Sequence, residues 1–107
     1  MATRALVNLP KGIRRGDLVE VKTAIAHPME TGYRQDAEGR MLPRDIVRRL
    51  EARLDGELVF AADLNRAIAA NPFVAFTLVA KASATLVLRW TGDQAFDHVE
   101  TVRIDVA

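Results

Sequence analysis

Apolar and polar residues alternate with a period of two along most of the chain. Over 17–26, Val19, Val21, Thr23 and Ile25 alternate with Leu18, Glu20, Lys22 and Ala24. That period puts one set on each face of an extended segment and predicts a strand. Leu6 to Leu9 predicts a short edge strand closed by Pro10, which has no N–H to donate. Residues 44–54 fit two patterns. As a helix, Ile46, Val47, Leu50 and Leu54 share a face. As a strand, Ile46, Leu50, Ala52 and Leu54 share a face that must also take Arg48. Asp55-Gly56 decides for the strand, because such a pair joins two arms of a hairpin and Leu58-Val59-Phe60 supplies the second.

Asp63 predicts the cap of a short helix near 64–70, ended by Asn71-Pro72. Strands follow over Phe73 to Ala80 and Thr85 to Thr91. Val102, Ile104 and Val106 mark the last. About seven short strands at regular spacing predict an all-β antiparallel sandwich, a single domain over 1–107. Val21, Ile25, Leu50, Phe76, Leu86, Leu88 and Trp90 are the expected core.

The longest interruption of the pattern lies between two strands, over residues 27–43. It opens with His27-Pro28-Met29-Glu30-Thr31-Gly32-Tyr33-Arg34. Pro28 stops the ladder and biases His27 toward extended geometry. Gly39 marks a hairpin tip, and a connection this long in a compact domain is usually functional or mobile. The expectation is a projecting hairpin or ordered loop that contacts a protein partner and not a metal. The simpler reading of the same residues is an ordinary loop whose histidine caps a strand end.

Composition narrows the chemistry. The chain has 107 residues, a net charge of +1 and no cysteine. Near-neutral charge gives no basis for a nucleic-acid or membrane-surface binder. Without cysteine there is no disulfide, thiolate metal site or cysteine nucleophile. The first ten residues lack the apolar run of a signal peptide, and no window is long and apolar enough for membrane insertion.

His27 and His98 stand far apart, with no ligand-spaced pair, so neither a metal nor a cofactor is expected. His98 reads as a solvated strand residue. Asp36, Glu38 and Asp45 read as solvated loop charges. Arg34, Arg40, Arg44, Arg48, Arg49 and Arg53 cluster in sequence, partly neutralised by acidic neighbours. They are either a solvated face of weak ion pairs or a surface that attracts anions or docks a partner. Met29 and Met41 flank the loop. Thioethers suit adaptable contacts, though a lone methionine more often fills space.

Three blocks carry a resemblance when taken together. They are His27 to Gly32, Gly39-Arg40-Met41-Leu42-Pro43-Arg44-Asp45-Ile46-Val47, and Phe60 to Leu64 with Ala67-Ile68-Ala69-Ala70-Asn71-Pro72-Phe73. In this order and spacing the chain resembles the SoxZ family, the small subunit of the SoxYZ sulfur carrier of thiosulfate oxidation. Leu88-Arg89-Trp90 departs from that family's Phe-x-Trp. The resemblance implies an immunoglobulin-like fold. It implies a heterodimer with a SoxY-like subunit whose C-terminal cysteine carries the sulfur, and contact through the complex with other sulfur-oxidation enzymes. It implies a periplasmic site reached by co-export with a signal-bearing partner.

Under that resemblance the chain is not an enzyme, and no catalytic residue carries over. Candidates for partner contact or for shaping the cargo environment are His27, Pro28, Met29, Glu30, Thr31, Gly32, Arg34 and Arg44. The isolated chain could self-associate as a homodimer. The rival expectation is a stand-alone enzyme or anion-binding protein acting on thiosulfate-like anions through His27.

Overall fold

The computed structural model describes residues 4–107. Residues 1–3 of the expected domain lie outside the described residues. Seven strands form: β1 (Ala5–Asn8), β2 (Leu18–Ile25), β3 (Val47–Leu54), β4 (Glu57–Asp63), β5 (Phe73–Val79), β6 (Ala84–Gly92) and β7 (Asp97–Ile104). They build two antiparallel sheets, β1-β2-β5 and β4-β3-β6-β7. This is the expected immunoglobulin-like sandwich. β4 pairs with β3, whereas in constant immunoglobulin domains the fourth strand lies beside the fifth.

The alternating pattern explains the core. Val19, Val21 and Ile25 of β2 face Leu50, Leu86, Leu88 and Trp90 of the other sheet, all essentially without solvent exposure. Phe60 of β4 stacks on Phe76 of β5 with centroids 4.4 Å apart. That contact bridges the two sheets where the edges β4 and β5 adjoin. All seven expected core residues are buried.

Arg48 escapes the apolar face by a bulge. Val47 pairs with Gly92 and Arg49 with the next residue, Thr91, so Arg48 is the extra residue on β3. Val47 and Leu50 thus both point inward although they are three apart, and Arg48 points to solvent. Gly92 is required here. A Cβ on it would lie 2.3 Å from the Ile46 carbonyl oxygen.

Two expectations change. No helix occurs among the described residues, and 64–70 is an irregular turn. Asp63, expected as a helix cap, is the last residue of β4 and binds Arg49 at 2.8 Å. Asn65 caps instead: its Oδ1 accepts the Ala67 N–H, and its carbonyl accepts the Ile68 N–H. That closes one turn, and Asn71-Pro72 leaves no room for more. The last strand begins at Asp97 and ends at Ile104. Val106 lies beyond it, its N–H donated to Ser83 Oγ.

Strand directions sort the connections into two ends. At one end lie 26–46, 64–72 and 93–96. At the other lie 9–17, 55–56 and 80–83.

Candidate functional site

The three connections at the first end are stitched together by a few polar residues. His27 leaves β2 and is clamped by Asn71. Its N–H donates to Asn71 Oδ1 at 2.9 Å, and its carbonyl accepts the Asn71 N–H at 2.8 Å. The ring is 6% exposed and meets the edge of Phe96 at 4.8 Å. His27 Nδ1 accepts the Met29 N–H at 3.0 Å, so the proton of the neutral ring sits on Nε2. Nε2 faces Asp45 Oδ1 at 3.6 Å, beyond direct hydrogen-bond reach.

Pro28 between them lets the chain turn without an orphaned N–H. Met29 adopts φ 54°, is 5% exposed, and its Sδ accepts the Val47 N–H at 3.2 Å. Both side chains therefore build the interior of this end and do not offer surface. The simpler reading made of His27 is close to what the molecule does: its ring caps the chain just past a strand end.

Beyond Met29 the chain rises as an irregular hairpin. Glu30 and Asp45 exchange both backbone hydrogen bonds at 2.8 Å, which fixes its base. Gly32 has φ +86°, and a Cβ there would lie 3.1 Å from Arg44 Cβ, so glycine lets the two arms close. Thr31 Oγ1 accepts the Tyr33 N–H. The Leu42 N–H donates to the Arg34 carbonyl. At the tip, Asp36 Oδ1 accepts the N–H groups of Glu38 and Arg40 around Gly39. The hairpin projects as expected, and the molecule measures 58 × 23 × 20 Å. Arg34 pairs with Glu30 four residues away. The hydrogen bond from Arg34 holds the Glu30 carboxyl below its ordinary value, against a smaller opposing effect of desolvation.

The return arm is tied to the β6–β7 connection through Asp93. Arg44 grips it side-on, Nε on Oδ2 at 2.7 Å and Nη2 on Oδ1 at 2.8 Å, and the Ile46 N–H also donates to Oδ2 at 3.2 Å. Burial raises the Asp93 pKa, but the Arg44 hydrogen bond, the Ile46 N–H and the charges of Arg44 and Arg48 outweigh it and leave it lowered. On the 64–72 connection, Arg66 lies over the Tyr33 ring at 4.7 Å and donates to its hydroxyl.

Thus His27, Pro28, Met29, Glu30, Thr31, Gly32 and Arg44 come together at the hairpin base, and Arg34 sits on its exposed flank. Asn71, Asp93, Phe96, Tyr33 and Arg66 complete the site and were not singled out from sequence. Asn71 reads from sequence only as a helix stop. His98 is on β7, half-buried against Trp90 with Nε2 2.8 Å from Glu100. Among the described residues no group of three His, Asp or Glu side chains is placed to hold a metal ion.

The exposed apolar side chains add a surface. Tyr33 (67%) and Met41 (54%) stand on the hairpin, Ile68 on the adjoining turn, and Phe73 opens β5 beside it. Arginine with aromatic and methionine side chains at a polar rim is the composition of a protein contact.

A family model described as sulphur oxidation protein SoxZ matches residues 7–103. No curated protein sequence matches the chain. Solved structures share the fold. A superoxide reductase (neelaredoxin) from Ignicoccus hospitalis aligns with TM-score 0.72 at 18% identity, covering 98% of this chain and 82% of that one. The sulfur carrier protein SoxY from Chlorobium limicola f thiosulfatophilum aligns with TM-score 0.63 at 15% identity, covering 95% and 74%. At these identities the likeness speaks for the sandwich.

Proposed function

Because the chain belongs to the SoxZ family of sulphur oxidation proteins, we propose that it is the non-catalytic subunit of a sulfur carrier. It holds a SoxY-like partner whose C-terminal cysteine bears the sulfur intermediate, and through the complex it meets other enzymes of sulfur oxidation. The pair works in the periplasm, this chain being exported with a signal-bearing partner. The observation that carries the reading is the family match over residues 7–103 in a chain without cysteine. A covalently carried sulfur needs a thiolate to bond to, and methionine sulfur has no proton to lose. The nucleophile then belongs to the partner, and this chain acts by holding it.

The hairpin end is the proposed contact. Its exposed Tyr33, Met41, Ile68 and Arg34 surround a base tied down by backbone hydrogen bonds. A lasting complex should bury about 1,200–2,000 Å². Unpaired, the same surface could join two copies of this chain.

The rival reading, His27 acting on thiosulfate-like anions, is not favoured. The ring is buried, Nδ1 is occupied by the Met29 N–H, and Nε2 looks at a carboxylate.

The test is intact-mass analysis of the co-expressed pair after turnover with thiosulfate. Sulfur adducts are expected on the partner, with this chain unmodified and both co-eluting at micromolar concentration. An adduct on this chain, turnover by the isolated chain, or failure to co-elute contradicts the proposal.

A further inference from the structure

Beside the hairpin base lies an open cleft of about 540 Å³ lined by Arg44, Arg48 and Arg66, with Ile46, Leu64 and Asn65 between them. The three guanidinium groups come from three separate elements: the return arm of the hairpin, the β3 bulge and the 64–72 connection. No carboxylate lines the cleft. Asp93 is bound to Arg44 outside the lining, and Asp63 pairs with Arg49.

Each arginine is there for a structural reason. Asp93 holds Arg44 through Nε and Nη2, so its Nη1 is left outside that pair. Arg66 is held over Tyr33 by its ring and hydroxyl. Arg48 is the residue the bulge expels from the apolar face, and it makes no ion pair among the described residues. Asn65 Oδ1 is taken by the Ala67 N–H, which leaves its Nδ2 as a further donor. Two positioned guanidiniums and one without an ion pair of its own around one space form a receptor for a multivalent oxyanion, since planar N–H forks match its paired oxygens.

We propose that this cleft binds a sulfur oxyanion, a sulfonate- or thiosulfonate-type group or its free counterpart. That the ligand is an oxyanion follows from the arginines, and that it is tetrahedral rests, like its sulfur, on the carrier reading above. The group could be free in solution or borne on the partner's arm, and both present the same oxygens to the cleft. Bound there, an oxidised cargo would be shielded by charge, while a neutral or fully reduced cargo would not be held.

The experiment has two arms. In the first, the isolated full chain is titrated with sodium thiosulfate, and separately with sulfate, against chloride at matched ionic strength, followed by amide shifts in two-dimensional NMR. Saturable shifts confined to Arg44, Arg48 and Leu64 to Ala67 are expected. Arg48→Gln and Arg66→Gln should each weaken binding about fivefold to tenfold. Arg103→Gln, on β7, should leave it unchanged. In the second arm, the co-purified pair is loaded with thiosulfate, and the same amides are compared with the unloaded pair. Shifts in the first arm identify a site for the free anion. Shifts only in the second identify the carried group.

Absence of both, or shifts spread equally over all exposed arginines, overturns the site. Co-elution of the Arg48→Gln and Arg66→Gln variants with the partner is measured in parallel. Lost anion binding with intact co-elution leaves the carrier reading standing, and lost co-elution of the unmutated pair removes that reading while the titration still decides the cleft.

Discussion

The two ends of the sandwich solve different problems. At the end with 9–17, 55–56 and 80–83, the connections only close strands. Gly16 and Asp17 exchange backbone bonds with Ala80, Asp55 exchanges bonds with Thr85, and Ala107 bonds Ile13. The exposed large apolar side chains at this end, Leu18, Leu58, Val59 and Val79, stand on the strand ends and not in the connections. At the other end the connections are longer and are held by side chains. Asn71 clamps His27, His27 caps Met29, Met29 sulfur accepts from Val47, and Asp93 ties Arg44 to Ile46. The end with 9–17 is specified by turn chemistry. The other is specified by a few polar residues that lock a projecting arm, with its apolar and cationic side chains left outside.

That contrast can be broken residue by residue. The largest effect is expected at Gly92. Gly92→Ala drives a Cβ to 2.3 Å from the Ile46 oxygen and should cost at least about 3 kcal/mol in chemical denaturation. Gly39→Ala, with φ +80° but nothing within 4 Å, should cost only about 1 kcal/mol of backbone strain. Equal losses in the two variants would mean that close approach at the bulge is not what Gly92 supplies.

His27→Ala should cost about 2 kcal/mol, because the Met29 N–H loses its acceptor and Phe96 its packing partner. Hydrogen exchange should rise across 27–46 and stay unchanged at 80–83. A uniform rise would dissolve the distinction between the ends.

Asp93→Asn should cost about 1 kcal/mol at neutral pH, allowing for solvent screening. The sign with pH is definite. The folded Asp93 pKa is lowered, so its contribution is complete above the ordinary carboxylate value of about 4 and is lost as pH falls through the folded value. Stability of the unmutated chain should fall below that pH, and the variant should show a shallower fall. A steeper fall in the variant would contradict the assignment.

The smallest effect belongs to Arg34→Ala on the exposed flank. The Arg34 side of its ion pair with Glu30 is open to solvent, so melting temperature should hardly move. Any loss should instead appear in affinity for the partner.

Most of the fold is legible in the chain because alternation is local. Val19 to Ile25 and Leu86 to Trp90 each announce one buried face without reference to anything else. Local sequence favours a helix near 64–70 because Asp63 suits either a cap or a strand end, and its ladder pairing with Arg49, fourteen residues earlier, decides for the strand. The awkward Arg48 was visible, but the bulge that relieves it depends on Gly92, forty-four residues on. The hairpin was legible from Pro28, Gly32 and Gly39. The burial of His27 was not, since it is set by Asn71 and Phe96 in two distant connections. Local turn chemistry reads forward; side chains that join separate loops do not.

The hairpin end, and not the end with 9–17, is the one proposed to meet the partner. Hydrogen–deuterium exchange should be compared between the isolated chain and the co-purified pair. Protection is expected to increase over 30–44 and 64–72 and to stay constant over 10–17 and 80–83. Protection confined to 10–17 and 80–83, with the hairpin unchanged, would contradict it.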